Sequence, residues 1–337
     1  MSYADRVREI GFYVACGPGA RLPFKINTGS FGALHRLTKG RPLLPRLKVL
    51  QCQLGGKRDS NDNVDLLLQL LASPVLCTLI LRHPHHGVSW GEPVFIDKKG
   101  APSDITTIVA RSRSLQHFVA DLDIDSEALF PLAELSSLRT IRITHRLMGT
   151  ALLDRFATLP HLELLQVNLG AYPGHDEVAQ GVEGAPNGTI FPSLRELTIR
   201  NSTSRAAGRV LAAIASAGSS STIASISIRL GRSESSDDEI IGSMHHFAPR
   251  PSSTPSRRST YITKMLKPLL SLANFEDLVL TFSGRCFSLS DADVARFAPA
   301  WPAIRRLRVT HDGNIHPSPD PSSPSIPPSR TSRHSAY

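Results

Sequence analysis

Ten charged side chains recur at matching places along the chain: Glu9, Arg82, Asp121, Arg142, Glu196, Arg200, Arg229, Asp277, Arg306 and Arg308. Each sits at the third, fifth or seventh position of a short stretch whose first, fourth and sixth residues are apolar. Six arginines against four acids leave a net of +2 on this set, whereas the whole chain carries +9. Arginine offers a rigid fork of donors that grips a carboxylate or phosphate at two points. Arg142, Arg200, Arg229, Arg306 and Arg308 are therefore the candidate partner-binding residues. The mixed signs suit a protein partner. Most of the positive excess lies elsewhere, which argues against a basic groove for nucleic acid.

Other chemistry finds little support. His83, His85 and His86, like His245 and His246, lack cysteines or acids at ligand spacing, so they read as loop histidines and no metal is expected. The stretch Gly17-Pro18-Gly19-Ala20 has too few glycines for a dinucleotide loop. No nucleophile elbow, P-loop or His-Glu-x-x-His occurs, so no cofactor and no enzymatic activity are expected. Ser235 and Ser236 stand beside Asp237, Asp238 and Glu239 as weak candidates for phosphorylation. The cysteines are Cys16, Cys52, Cys77 and Cys286, too few for a disulfide framework. A reducing compartment, cytoplasm or nucleus, is the expectation. No apolar run reaches the roughly 20 residues a membrane helix needs, and the first ten residues hold no apolar stretch typical of a signal peptide.

The elements that must position these side chains are ten apolar triplets. They are Val7-Ile10-Phe12, Leu47-Leu50-Cys52, Leu76-Leu79-Leu81, Leu115-Phe118-Ala120, Leu138-Ile141-Ile143, Leu162-Leu165-Val167, Leu194-Leu197-Ile199, Ile223-Ile226-Ile228, Phe275-Leu278-Leu280 and Ile304-Leu307-Val309. Their starts lie 40, 29, 39, 23, 24, 32, 29, 52 and 29 residues apart. A period of a few tens of residues is the mark of a solenoid. Side chains alternate along a strand, so positions four and six point inward and positions three, five and seven face the concave surface. Between strands, helical spacing recurs in Val64-Leu67-Leu68-Leu71, Ile105-Ile108-Val109, Leu129-Leu132, Leu152-Leu153-Phe156-Leu159, Ala207-Val210-Leu211-Ile214, Ile262-Met265-Leu266-Leu269-Leu270 and Val294-Phe297. Each unit thus reads strand, turn, helix, return, and it buries its apolar side only by stacking on its neighbours.

The predicted repeat domain spans 3–312, with insertions at 83–103, 171–188 and 231–258. A Ser/Pro-rich tail at 313–337 is expected to be disordered, as is the third insertion, because neither has the apolar content to offset ordering entropy. Solenoids need terminal caps. Little apolar sequence follows Val309 and six residues precede Val7, so the edge formed by Val7, Ile10 and Phe12 is expected to be partly open.

The segments "LPRLKVL", "LPHLELL", "FPSLREL" and "WPAIRRL" resemble the leucine-rich repeats of fungal, particularly basidiomycete, F-box-type proteins. The opening "YADRVREIGF" and the closing "LSDADVARFAPAWPAIRRLRV" also resemble units of those chains, so the likeness covers about Tyr3 to Thr310. It implies an α/β, irregular leucine-rich-repeat solenoid, with a curved parallel sheet on the concave face and helices on the convex face. It also implies the substrate-recognition part of a ubiquitin-ligase adaptor. The F-box itself is not found. The early Leu22-Pro23 is followed by "FKINTGSFG", which does not read as a helical module. Ubiquitin-ligase components are therefore implied as partners only if an F-box is supplied upstream. The asparagine or cysteine expected at the ninth repeat position is also missing: Ala15, Gly55, Pro84, Arg146, Gly170 and Asp312 stand there. Without that ladder the turns are expected to be irregular. The reading is a protein-binding scaffold whose partner is unidentified; the alternative is a basic protein that binds nucleic acid or an anionic surface.

Overall fold

A computed structural model of the chain describes residues 3–14, 28–54, 61–82, 105–121, 124, 126–147, 150–169, 191–216, 222–231, 264–272, 274–283 and 291–312. The three predicted insertions lie almost wholly outside these residues, and the tail lies entirely outside them.

Every apolar triplet gives a strand. They are β1 (Glu9–Val14), β2 (Val49–Leu54), β3 (Thr78–Arg82), β4 (His117–Asp121), β5 (Thr140–Leu147), β6 (Leu164–Asn168), β7 (Glu196–Ser202), β8 (Ser225–Leu230), β9 (Asp277–Ser283) and β10 (Arg306–Asp312). All ten pair in sequence order, parallel, in one sheet. The fourth positions form one unbroken ladder of partners: Ile10, Leu50, Leu79, Phe118, Ile141, Leu165, Leu197, Ile226, Leu278 and Leu307. From Leu50 to Leu278 these side chains are fully buried. Burying a side chain of this size contributes about 1.5–3 kcal/mol.

Backbone bonds lock the register at each joint. The carbonyl of the second repeat position accepts two N–H groups from the next repeat, as when Arg8 O takes Lys48 N at 2.7 Å and Val49 N at 3.0 Å. The arrangement recurs at nine joints, ending with Glu276 O and the N–H groups of Arg305 and Arg306. A one-residue slip would turn the apolar ladder outward, so pattern and hydrogen bonding enforce the same register.

The return segments carry α1 (Thr28–Leu37), α2 (Asn61–Leu71), α3 (Ile105–Arg111), α4 (Thr150–Ala157), α5 (Ser204–Ser216) and α6 (Asp291–Phe297). Their buried faces, including Leu68, Ile108, Phe156, Leu211 and Phe297, join the inward strand residues in one core. Two expected helices are 3-10 segments instead, Glu127–Glu134 and Lys267–Ser271. Each contains a proline, Pro131 or Pro268, which removes a backbone donor and blocks a regular α-turn. Ile262 lies outside the described residues. Val294 of α6 is exposed rather than buried.

Helix α1 is an addition to the sequence reading, because Gly29 and Gly32 weaken its helical signal. It packs beside α2. Its end is closed by Lys39 N–H to Arg36 O and Gly40 N–H to His35 O, with both residues in left-handed conformation (φ 51° and 71°).

Serine hydroxyls take up part of the linking expected of an asparagine ladder. Buried Ser73 donates to Pro45 O at 2.7 Å, and buried Ser112 donates to Ser73 O at 3.0 Å. Ser137 donates to Arg113 O and Leu115 O, and Ser193 to Pro160 O. Each bond ties one repeat to the preceding one just before its first apolar position.

The edges differ. At β10 the inward positions Leu307 and Val309 are 43% and 37% exposed. At β1, Val7 and Ile10 are half-buried against the core.

Candidate partner-binding face

Helices cover one face of the sheet, and the third, fifth and seventh strand positions form the other. The fifth positions read, in ladder order, Gly11, Gln51, Ile80, Val119, Arg142, Gln166, Thr198 and Ser227, and then Val279 and Arg308. Ile80 and Val119 are half-buried neighbours. The face is thus a blend of apolar, amide, hydroxyl and cationic groups.

Arg142, Arg200, Arg229, Arg306 and Arg308 are all exposed on this face. They fall into two groups. Arg142 stands on β5, Arg200 on β7 and Arg229 on β8, while Arg306 and Arg308 share β10 at the edge. Strands lie about 4.8 Å apart, so the two groups are separate places on the face.

The edge group is partly committed within the fold. Arg306 Nε donates to Asp277 Oδ1 at 2.7 Å and Nη2 to Oδ2 at 2.5 Å. The Arg306 hydrogen bonds hold the Asp277 carboxyl below its ordinary range, with partial desolvation opposing them. Arg305 lies 3.7 Å from Glu276. Beside the strip, Asp121 accepts the Thr144 hydroxyl, and the Asn168 amide donates to Thr144 O at 2.7 Å.

Two bulges shape the central group. Arg200 and Asn201 of β7 together oppose Arg229 of β8, and Asn201 takes the left-handed conformation (φ 46°). Asparagine tolerates that region better than most residues. On β5 the pairing shifts between Arg142 and Leu147. Bulges of this kind redirect side chains.

Gln166 and Asn168 of β6 were not expected to matter, yet they are buried (9% and 7% exposed) at positions that alternation assigns to the outward face. Gln166 is the ladder partner of Arg142, and Asn168 that of Arg200. The signal available in sequence is the pair of amides at the fifth and seventh positions of a single repeat.

Cys52 and Cys77 are free thiols. Burial pushes the Cys52 thiol up to about 12, so it serves as a small apolar group. Among the described residues no cluster of three His, Cys, Asp or Glu side chains forms a metal site. The histidines His83, His85, His86, His245 and His246 lie outside those residues, as do Ser235, Ser236 and the glycines of 17–20. No helix among the described residues is long and apolar enough to cross a membrane.

An ordered parallel sheet of ten repeat strands, backed on one side by helical returns, defines an α/β leucine-rich-repeat solenoid. No protein-family model matches the sequence, and no curated protein matches it. Among solved structures, an internalin of Listeria monocytogenes aligns at 12% identity with a TM-score of 0.34, over 80% of this chain and 62% of that one. The leucine-rich-repeat ectodomain of the plant membrane receptor kinase GASSHO1/SCHENGEN3 of Arabidopsis thaliana, in complex with CASPARIAN STRIP INTEGRITY FACTOR 2, aligns at 11% identity and a TM-score of 0.30, over 79% and 27%. A leucine-rich-repeat protein of Leptospira interrogans aligns at 11% and 0.25, over 79% and 73%. The chain spans less than two thirds of the length of the first two.

Proposed function

We propose that this chain is a non-enzymatic scaffold that binds a protein through the open face of its sheet. The supporting observation is the uninterrupted ten-strand surface of apolar, amide and charged side chains opposite the helices. Such a surface presents many small contacts to an extended or folded partner. On the resemblance of its repeats, the scaffold acts in the cytoplasm or nucleus as the recognition part of an F-box-type ubiquitin-ligase adaptor. The repeat domain spans 3–312 and carries the Ser/Pro-rich segment 313–337 behind it.

Photo-crosslinking from cells tests both halves. A cross-linker at Thr198 or Ser227, on the open face, is expected to trap a discrete protein, and one at Thr106 on α3 is not. Trapping only from α3 would reverse the choice of face. Recovery of cullin-ligase components with the chain, prepared with and without its upstream coding sequence, supports the adaptor role; their absence from both preparations removes it.

A further inference from the structure

The last strand leaves an edge open. Strand β10 ends the sheet, with β9 as its one neighbour among the described strands. Among the described residues six large apolar side chains are exposed, and three belong to the last repeat: Val294 on α6, and Leu307 and Val309 on β10. The backbone adds a second need. The Arg306 N–H points to β9, where Glu276 O accepts it. Amides alternate in direction along a strand, so those of Leu307, Val309 and His311 point to the open edge. An edge strand with no proline, and with no charge at its inward positions 307 and 309, invites another strand.

The strand's own sequence selects the partner. An isologous pair about a twofold axis closes on itself, whereas head-to-tail stacking does not. With the axis perpendicular to the sheet at Val309, the middle residue of Arg306–Asp312, the strands run antiparallel and the helices of both copies stay on one side. In that register Val309 meets its own copy, Leu307 comes opposite His311, Arg308 opposite Thr310, and Arg306 opposite Asp312. Unlike charges then share a position, and Arg306, although held by Asp277, remains 77% exposed towards it. Moving the axis to Arg308 would set that arginine against itself, and like charges directly opposite are destabilising. Parallel stacking of a second copy's β1 would align Glu9 with Arg306, but it would also set Arg8 beside Arg305. It covers less as well, because Val7 and Ile10 are already half-buried.

We propose that β10 pairs antiparallel with β10 of a second copy of this chain, across a twofold axis at Val309, and so covers Leu307 and Val309. Backbone hydrogen bonds join Val309 to Val309, and Leu307 to His311, of the two copies. One strand pair falls short of the roughly 1,200–2,000 Å² of stable interfaces, so the association is weak and the dilute chain is a monomer. The open faces of the two copies lie side by side on one surface, which makes the dimer bivalent for whatever that face binds. The pairing stands whether or not the open face binds a protein.

The test is analytical ultracentrifugation of the full chain over about a hundredfold range of concentration, followed by oxidative cross-linking. The mass is expected to rise from that of one chain towards that of two. Val309→Lys, which sets two cations face to face, is expected to weaken the association by about tenfold or more. Leu307→Lys is expected to act in the same direction, and thermal melting of dilute protein confirms that each variant folds. Opposed residues of an antiparallel pair lie about 4.5–5.5 Å apart between Cα atoms, within disulfide reach. Under a mild oxidant Val309→Cys is therefore expected to form a linked dimer faster than the parent or Arg308→Cys. A chain that stays single throughout, or a dimer that both lysine variants leave unaltered, overturns the inference. Growth beyond two chains overturns it in favour of head-to-tail stacking. Cross-linking of Val309→Cys no faster than that of the parent or of Arg308→Cys overturns the register.

Discussion

Arg306 grips Asp277 with two hydrogen bonds across the β9–β10 boundary, at 2.7 and 2.5 Å, yet the arginine side chain stays 77% exposed. The pair sets the local geometry of the outermost strand. Being in water, it is screened by salt. Because the folded carboxyl titrates below its ordinary range, its stabilising effect is present above that range and is lost as pH falls through the folded value. Asp277→Asn is therefore expected to lower the melting temperature slightly at neutral pH and low salt. The difference from the parent should vanish in molar salt and also below the acidic titration. A large loss that persists in molar salt would show that Asp277 has a packing role instead.

Trp301 closes the last repeat. Its indole N–H donates to Leu269 O at 2.8 Å, and its ring stacks on Phe297 at 5.0 Å and meets Phe275 edge-on at 5.7 Å. One side chain thus joins α6, the Lys267–Ser271 segment and the first apolar position of the ninth repeat. Trp301→Phe keeps much of the volume and removes one of the two donors to Leu269 O, which keeps the Leu272 N–H at 3.0 Å, so it is expected to cost about 0.5–1.5 kcal/mol. Trp301→Ala is expected to cost about 3–5 kcal/mol. Urea titration followed by circular dichroism measures both. If the two variants were equally mild, the indole would not be the tie.

Much of this architecture is written in the apolar pattern, and the exceptions have physical causes. Leu50, Leu79 and their counterparts are legible because a buried strand position accepts only apolar groups, and ten repetitions fix the period. Helix α1 is hidden because glycines at 29 and 32 dilute its signal while packing beside α2 supplies the stability. Leu129 and Leu132 do mark a buried turn, but Pro131 between them changes its geometry. The five arginines are placed on the open face by simple alternation. That alternation is silent on which of them another strand has already engaged, so the Asp277–Arg306 pair needs coordinates. The buried amides Gln166 and Asn168 break the alternation rule and are invisible to it.

The Ser112 hydroxyl donates to Ser73 O and the Ser73 hydroxyl to Pro45 O, two bonds between successive repeats made by fully buried serines. Ser112→Ala removes one of the two donors to Ser73 O, which keeps the Leu76 N–H at 3.0 Å, and is expected to cost about 0.5–1.5 kcal/mol. The double variant with Ser73→Ala should depart from the sum of the two single losses, since the two residues are in direct contact through Ser73 O. Strict additivity in denaturant melts would show that the two serines act independently.

Cys52 carries a pH signature. Its folded thiol titrates at about 12 against an ordinary value of 9.0, because ionising it in the core is unfavourable. The unfolded chain releases that proton more readily, so the stability associated with this group is intact below 9.0 and declines as pH rises toward 12. Cys52→Ala has no such group. The parent is expected to melt above the variant at pH 8, with the gap narrowing as pH approaches 11. Residue-resolved alkylation at pH 8 should also modify Cys77 well before Cys52. A gap that holds constant with pH would place the thiol in contact with water.

Leu278 and Leu307 are ladder partners at the same repeat position, but one is fully buried and the other is 43% exposed at the outer strand. Residue type and register are shared, so the pair isolates burial as the variable. Leu278→Ala is expected to cost about 2–5 kcal/mol, because it opens a cavity with neighbours on both sides. Leu307→Ala has less water-excluded surface to lose and is expected to cost less than about half as much. Replacing Leu307 with Lys should be tolerated, whereas the same change at Leu278 should prevent folding, since an unpaired charge would enter the core. Equal losses from the two alanine variants in urea titrations would mean that the outer face of β10 is covered in solution.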